Sequence, residues 1–164
     1  MLPSPGKVLM FCGSSGGSVE DCVQWAVDTL CVGKDSPSLR ILAGLAPPFY
    51  SFEVRAYATK ALKELGIGIP TEKNAISVYA WYLIKDILAD AACMQDRLSA
   101  LGDLCAGKDY PKEIYDFYLL RWAFADLQDS EVQFYWDEAD RNNIQEIILA
   151  RCHEWLVEYE NKET

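Results

Sequence analysis

What this chain has little of narrows its chemistry before anything it holds in plenty. It has one histidine in 164 residues, His153. A Ser–His or Cys–His nucleophilic site would have to be built on that single ring. Its neighbours three and four positions away are Leu149, Ala150, Leu156 and Val157, so no second metal ligand shares its side of a helix. His153 reads as a surface or partly packed structural residue. Basic residues are scarce as well: 15 Lys and Arg stand against 25 Asp and Glu, a net charge of −10. Phosphate backbones are held by Lys and Arg that displace counterions, which argues against nucleic acid as a partner. Apolar runs are short. Val8–Cys12 falls below a signal-peptide core, and the stretch Ala75–Ile87 is interrupted by Ser77, Lys85 and Asp86, so no membrane span is expected. The six cysteines, at 12, 22, 31, 93, 105 and 152, include no CxxC pair. They are expected as free thiols in a reducing cytoplasm, with Cys22, Cys31 and Cys152 buried on helices. No cofactor and no metal is called for by any motif.

What is present is a helical period repeated in short units. Ser18, followed by Glu20 and Asp21, opens a helix through Val19, Cys22, Val23, Ala26, Val27 and Leu30 that stops at Gly33. Ser36 and Pro37 start a short second helix, halted by Pro47-Pro48. Ser51 is placed as the cap of a third, which ends at Gly66. Residues 67–70 form a linker, since Gly68 and Pro70 do not continue a helix. Lys73 to Asp90 is apolar on more than one face and is expected as the central buried helix. Met94–Cys105 and Pro111–Ala125 follow as helices, Gln128–Ala139 as the long loop, and Ile144–Tyr159 carries one continuous apolar stripe. The pattern predicts one all-α domain over residues 1–164, an irregular antiparallel bundle of about seven helices. Lys7–Cys12 is left as a short N-terminal strand or arm, and residues 1–6 and 161–164 as flexible ends. No fixed sequence period supports a solenoid.

Val8–Cys12 followed by Gly13-Ser-Ser-Gly-Gly-Ser18 has the order of a strand, a glycine-rich loop and a helix, which can cradle phosphate on backbone N–H groups. Its Cys-Gly-Ser-Ser stretch resembles the opening of the phosphoribohydrolases related to so-called lysine decarboxylases. The resemblance covers about ten residues and implies a parallel α/β sheet and a phosphate-binding loop. That family's later Pro-Gly-Gly-x-Gly-Thr-x-x-Glu stretch and its alternating strands are absent. A flexible connector with Ser18 as a helix cap is the reading preferred.

The charge is concentrated. Residues 86–140 carry 13 acids against 4 bases, so that third of the chain holds −9 of the −10. Nine aromatic residues lie between Tyr110 and Trp136 in the same stretch. Phe117, Tyr118 and Trp122 fit an inward helical stripe. Phe134, Tyr135 and Trp136 are harder to bury together, because consecutive large rings point in different directions. Tyr and Trp anchor interfaces, and acids around them speed encounter with a cationic partner. The leading expectation is therefore a non-enzymatic, small acidic protein-binding domain of a bacterial type, in charge and size like the immunity or antitoxin proteins that neutralise a basic protein. Its candidate contacts are Asp126, Asp129, Glu131, Tyr135, Trp136, Asp137 and Glu138. The alternatives are a loop whose rings fold back onto the bundle, a homo-oligomer meeting through the same patch, and a small-ligand protein or enzyme with a carboxylate-lined pocket near Ser77, Tyr79, Tyr82 or Asp86. Carboxylate pairs at helical spacing, Glu113 with Asp116 and Asp86 with Asp90, are expected to face water.

Overall fold

A computed structural model describes residues 1–13 and 16–163, and among these the chain is all-α, with eight α-helices and two short 3-10 turns. Two compact units divide it, Met1–Tyr79 and Ala80–Thr164.

The first unit holds α1 (Gly6–Gly13), α2 (Val19–Cys31), α3 (Pro37–Ala43), α4 (Ser51–Glu64) and the opening turn of α5 (Ala75–Ala89). The strand or arm expected over Lys7–Cys12 is the helix α1. Val8, Leu9, Met10 and Phe11 are all nearly sealed, at 1 to 6% exposed, and α1 packs on both α2 and α4. Lys7 alone stays exposed on this helix; four buried apolar residues in succession have no period by which to tell a helix from a strand. Arg55 of α4 supplies acceptors at its C-terminus with a partner: the guanidinium donates to the carbonyls of Phe11 and Cys12 and lies 4.5 Å from the Phe11 ring centroid. Ser18 caps α2 as its sequence predicts, its Oγ accepting from the Asp21 N–H at 3.1 Å. Ser36 caps α3 with Pro37 in the first helical position. The end of α4 is locked onto the start of α3, because the Glu64 carboxylate accepts from the Ser38 N–H at 3.0 Å and from its Oγ at 2.8 Å. Ser51 is not a cap. The helix begins one residue earlier, with the N–H groups of Glu53 and Val54 both donating to the Tyr50 carbonyl at 3.0 Å, and Ser51 is already helical.

The second unit contains the rest of α5, a 3-10 turn at Ala91–Cys93, α6 (Met94–Gly107), a second turn at Lys112–Ile114, α7 (Tyr115–Asp129) and α8 (Ile144–Glu163). Expected as sealed on several faces, α5 buries one stripe here, Ala80, Leu83, Ile84 and Ile87. Trp81, Tyr82 and Leu88 stay half-buried, and Lys85 Nζ lies 5.5 Å from the Trp81 ring centroid; aromatic rings of mixed polarity tolerate that position. Between α6 and α7 the backbone of Gly102 admits the Arg121 side chain. A Cβ there would stand 2.3 Å from Arg121 Cδ, so only glycine lets the guanidinium pass over α6 to Asp103, 2.7 Å away. The stripe on α8 is buried as the period demands at Ile144, Ile148, Cys152 and Trp155. Trp155 Nε1 donates to the Glu113 carbonyl at 2.7 Å, and Arg151 Nε meets Asp116 at 2.7 Å, which fixes α8 against α7 and the turn before it. The helix continues through Asn161 and Lys162 to Glu163.

A cross-tied acidic loop and an aromatic patch

Of the acids in residues 86–140, some are used to hold the fold. Asp86 pairs with Arg97 at 2.8 Å, Asp103 with Arg121 and Asp116 with Arg151. Asp86, offered above as a pocket carboxylate, is thus engaged by a guanidinium. The others differ. Among the described residues, none of Asp126, Asp129, Glu131, Asp137 and Glu138 takes part in an ion pair. Four of them are exposed and Asp126 is half-buried. They lie at the C-terminal end of α7 and in the loop after it, where the helix carbonyls add further negative potential.

The loop starts two residues later than expected, because α7 runs through Asp129, and it extends to Asn143, where α8 begins at Ile144. It is also heavily cross-tied. At its start, Arg141 Nε donates to the carbonyls of Leu127 and Ser130 at 3.0 and 2.9 Å, occupying acceptors that the helix end leaves open. At its end, Asp140 and Asn143 cap α8 reciprocally: Asp140 Oδ1 accepts from the Asn142 and Asn143 N–H groups, and Asn143 Oδ1 accepts from the Asp140 N–H at 2.7 Å. Asn143 Nδ2 donates to the carbonyl of Glu138 at 2.8 Å; Glu138 itself has a left-handed backbone, φ 63°. The centre is held by Gln133. Its Nε2 donates to the carbonyls of Trp136 at 2.6 Å and Ala139 at 3.0 Å, while its Oε1 accepts from the N–H groups of Tyr135 and Trp136, both at 2.8 Å. All the amide's bonds go to the loop backbone, so the side chains it presents have a fixed frame.

That frame turns the three consecutive rings in different directions. Phe134 is 91% exposed and Tyr135 41%. Trp136 is half-buried and, with Glu131, Gln133, Phe134 and Glu138, lines an open groove of about 390 Å³. Tyr135 is carried back onto α7, its ring stacked on Trp122 at 6.4 Å between centroids. Trp122 in turn meets Tyr118 edge-on at 6.4 Å, and Tyr118 meets Tyr110 at 5.2 Å and Tyr115 at 5.8 Å. The result is a patch of rings, with Tyr110, Tyr115 and Tyr118 clustered together and Trp122 and Tyr135 extending from them, and four of the five (Tyr110, Tyr115, Trp122 and Tyr135) are at least 37% exposed. At its Tyr110 end lies a second open groove, about 540 Å³, bounded by Tyr110, Lys112, Tyr115 and Tyr118. A hydrogen bond to Tyr118 holds the Tyr110 phenol above its usual value.

Trp122 and Tyr118 are therefore not part of the inward stripe expected of them. The buried face of α7 is Phe117, Leu120, Phe124 and Leu127. Tyr118 and Trp122 sit one and five positions on from Phe117, turned about 100° and about 140° from it round the helix axis. Phe134, the most exposed ring of the loop, is marked in the sequence as one of three consecutive rings but is missing from the candidate contacts. Gln133, which organises the loop, is marked by nothing in the sequence.

The other candidates lie elsewhere. His153 is exposed on α8. Gly13 ends α1, Gly16 abuts the Met10 side chain and Gly17 the Lys7 carbonyl, while the Ser18 hydroxyl is spent on its cap; Ser14 and Ser15 lie outside the described residues. All six cysteines are free thiols. Cys22 and Cys152 are buried, and burial pushes both thiols up to about 12; Cys31, expected inside, is exposed, because it falls at the last residue of α2. Among the described residues no group of three or more His, Cys, Asp or Glu is placed to hold a metal ion, and no helix is long and apolar enough to cross a membrane. Comparison with known proteins finds no matching family model, curated protein or solved structure.

Proposed function

We propose that this chain is a non-enzymatic binding protein that captures a basic protein through the acidic loop after α7, in the way that small acidic immunity and antitoxin proteins neutralise basic enzymes. The observation that carries the reading is the division of labour among the acids. Asp86, Asp103 and Asp116 are consumed in ion pairs within the fold, whereas Asp126, Asp129, Glu131, Asp137 and Glu138 meet no cation of their own and surround exposed rings. Five unpaired carboxylates in one place repel one another, a cost that a cationic partner removes. The loop's hydrogen-bonded frame supports the same reading, since a preformed surface loses less conformational entropy on docking than a mobile one. Phe134, Tyr135 and Trp136 supply the apolar contact area, and the acids supply steering and register.

The test is differential capture. The immobilised chain and a variant with Asp126, Asp129 and Asp137 changed to Asn and Glu131 and Glu138 to Gln are presented with the same host lysate at low salt. The proposal expects a protein of net positive charge on the parent chain that is absent from the variant, with association slowed on the order of tenfold or more once the charges are gone. Identical captured sets on both would contradict it.

A further inference from the structure

We infer that a second copy of this chain docks on the exposed apolar corner where α3 leads into α4, forming a weak two-fold dimer. The inference is independent of the acidic loop. Its ground is a run without charge: the twelve residues from Ile41 to Phe52 include no Asp, Glu, Lys or Arg. Much of that run faces outward. Ile41 is 46% exposed on α3, Tyr50 55% at the start of α4 and Phe52 77% in its first turn, with Ala46, Pro47 and Pro48 exposed between them. The Tyr50 and Phe52 rings lie 6.1 Å apart and, among the described residues, meet no other ring.

The corner is held in place. Leu39, Leu42 and Val54 of the same two helices are fully buried, the Tyr50 carbonyl accepts from the N–H groups of Glu53 and Val54, and the Glu64 carboxylate ties α4 to Ser38 of α3. A surface fixed beforehand loses little entropy on docking.

Charge selects the occupant. The unit that carries the corner, Met1–Tyr79, is balanced, with seven Lys and Arg against seven Asp and Glu, so the whole −10 belongs to Ala80–Thr164. A charged partner finds nothing on the corner to steer it. Segments that lie on lipid set Lys or Arg beside their apolar side chains to meet anionic headgroups; the run here is flanked by Glu53 and by Arg40, whose guanidinium is paired with Asp35. A two-fold interface lays each patch against itself, so any charge near its axis meets its own sign. An uncharged patch escapes that repulsion, and a second copy brings a matching one. Its extent sets the strength. The corner presents on the order of 400–500 Å² per copy, against roughly 800 Å² per partner in a standard interface. The dimer therefore belongs to the high-micromolar range and dissociates on dilution.

Sedimentation equilibrium of the full chain from about 5 to about 500 µM, at roughly 0.1 and 1 M NaCl, tests this. The mass should rise from that of the monomer towards twice it, at both salt concentrations, because an apolar contact is not screened. Phe52→Glu and Ile41→Glu, each checked for an unchanged melting curve in dilute solution, should dimerise at least tenfold more weakly, since each adds a pair of like charges to the interface; the two variants guard against one failing to fold. A parent chain that stays monomeric throughout overturns the inference. So does a dimer that either folded variant keeps at full strength, or one that dissolves in 1 M salt. A monomeric parent chain that floats with phosphatidylcholine vesicles would give the corner to a lipid surface instead. Each of these results leaves the capture of a basic protein at the acidic loop standing.

Discussion

Replacing Gln133 by alanine removes an amide whose four hydrogen bonds are all spent on the backbone of residues 135–139. Each such bond contributes about 0.5–1.5 kcal/mol net. They are shared by one side chain in a half-buried site where water replaces part of what is lost, so the loop should lose about 2–3 kcal/mol of local stability rather than the full sum. At 1.4 kcal/mol per tenfold, amide hydrogen exchange at Tyr135 and Trp136 should accelerate by roughly 30- to 150-fold. Core amides on α7 and α8, such as those of Leu120 and Ile148, should exchange at nearly their original rates, because no bond of Gln133 reaches them. Gln133→Glu is the informative companion. A carboxylate still accepts from the Tyr135 and Trp136 N–H groups but faces the Trp136 and Ala139 carbonyls with no proton to donate, so it should fall between the two. Exchange at 135–136 that is unchanged in Gln133→Ala would refute the claim that this amide holds the loop.

Other perturbations separate anchoring from folding. Phe134→Ala should leave the melting temperature within about a degree, since surface substitutions move stability by no more than about 0.5 kcal/mol, while Trp136→Ala, half-buried in its groove, should lower affinity for a captured partner by about 2 kcal/mol or more and the melting temperature only slightly. A large melting shift in Trp136→Ala, read by calorimetry, would make it a core residue instead. Thiol labelling at pH 8 should modify Cys31 first, because it is exposed, and reach Cys22 and Cys152 only on unfolding, since both are buried and held near 12; rapid labelling of Cys152 in the native protein would contradict the α8 packing. Glu64 is held below its ordinary value by hydrogen bonds from the hydroxyls of Ser36 and Ser38 and from the Ser38 N–H. A depressed folded-state value contributes stability above the unfolded-state value, about 4.3, and loses it as pH falls through the lower folded one. The gap in urea midpoint between the parent chain and Glu64→Gln should therefore be widest near neutrality and shrink in acid; a gap that widens in acid would show the sign to be reversed.

What could be read from sequence was local. The caps at Ser18 and Ser36, the stop at Gly33 and the α8 stripe depend on residues within a few positions of one another, and the structure has them where the pattern places them. The misreadings share a different cause. α1 packs on α2 and α4, and its four successive buried residues, Val8 to Phe11, leave no period that would have marked it as a helix. Tyr118 and Trp122 fit an inward stripe together with Phe117 in the sequence, but the pair share the outer side of α7 and the inner side belongs to Phe117, Leu120, Phe124 and Leu127. Which acids are spent and which are spare was not legible at all. Asp116 finds Arg151 from 35 residues away and Asp103 finds Arg121 from 18, distances in sequence that only the packing of α6, α7 and α8 brings together. Gln133 was silent for the same reason: a glutamine that organises a loop has the same composition as one that points into water.

The most direct test of the account is a residue-resolved titration. The isotopically labelled chain is followed by amide and side-chain chemical shifts as a twelve-residue lysine- and arginine-rich peptide is added at low and at high salt. The account predicts shifts concentrated at Asp126, Asp129, Glu131 and Tyr135–Glu138, saturating together and fading as salt screens the contact. Shifts spread evenly over exposed acids such as Glu20, Glu53, Glu72 and Glu146, or no response at the loop at low salt, would contradict it.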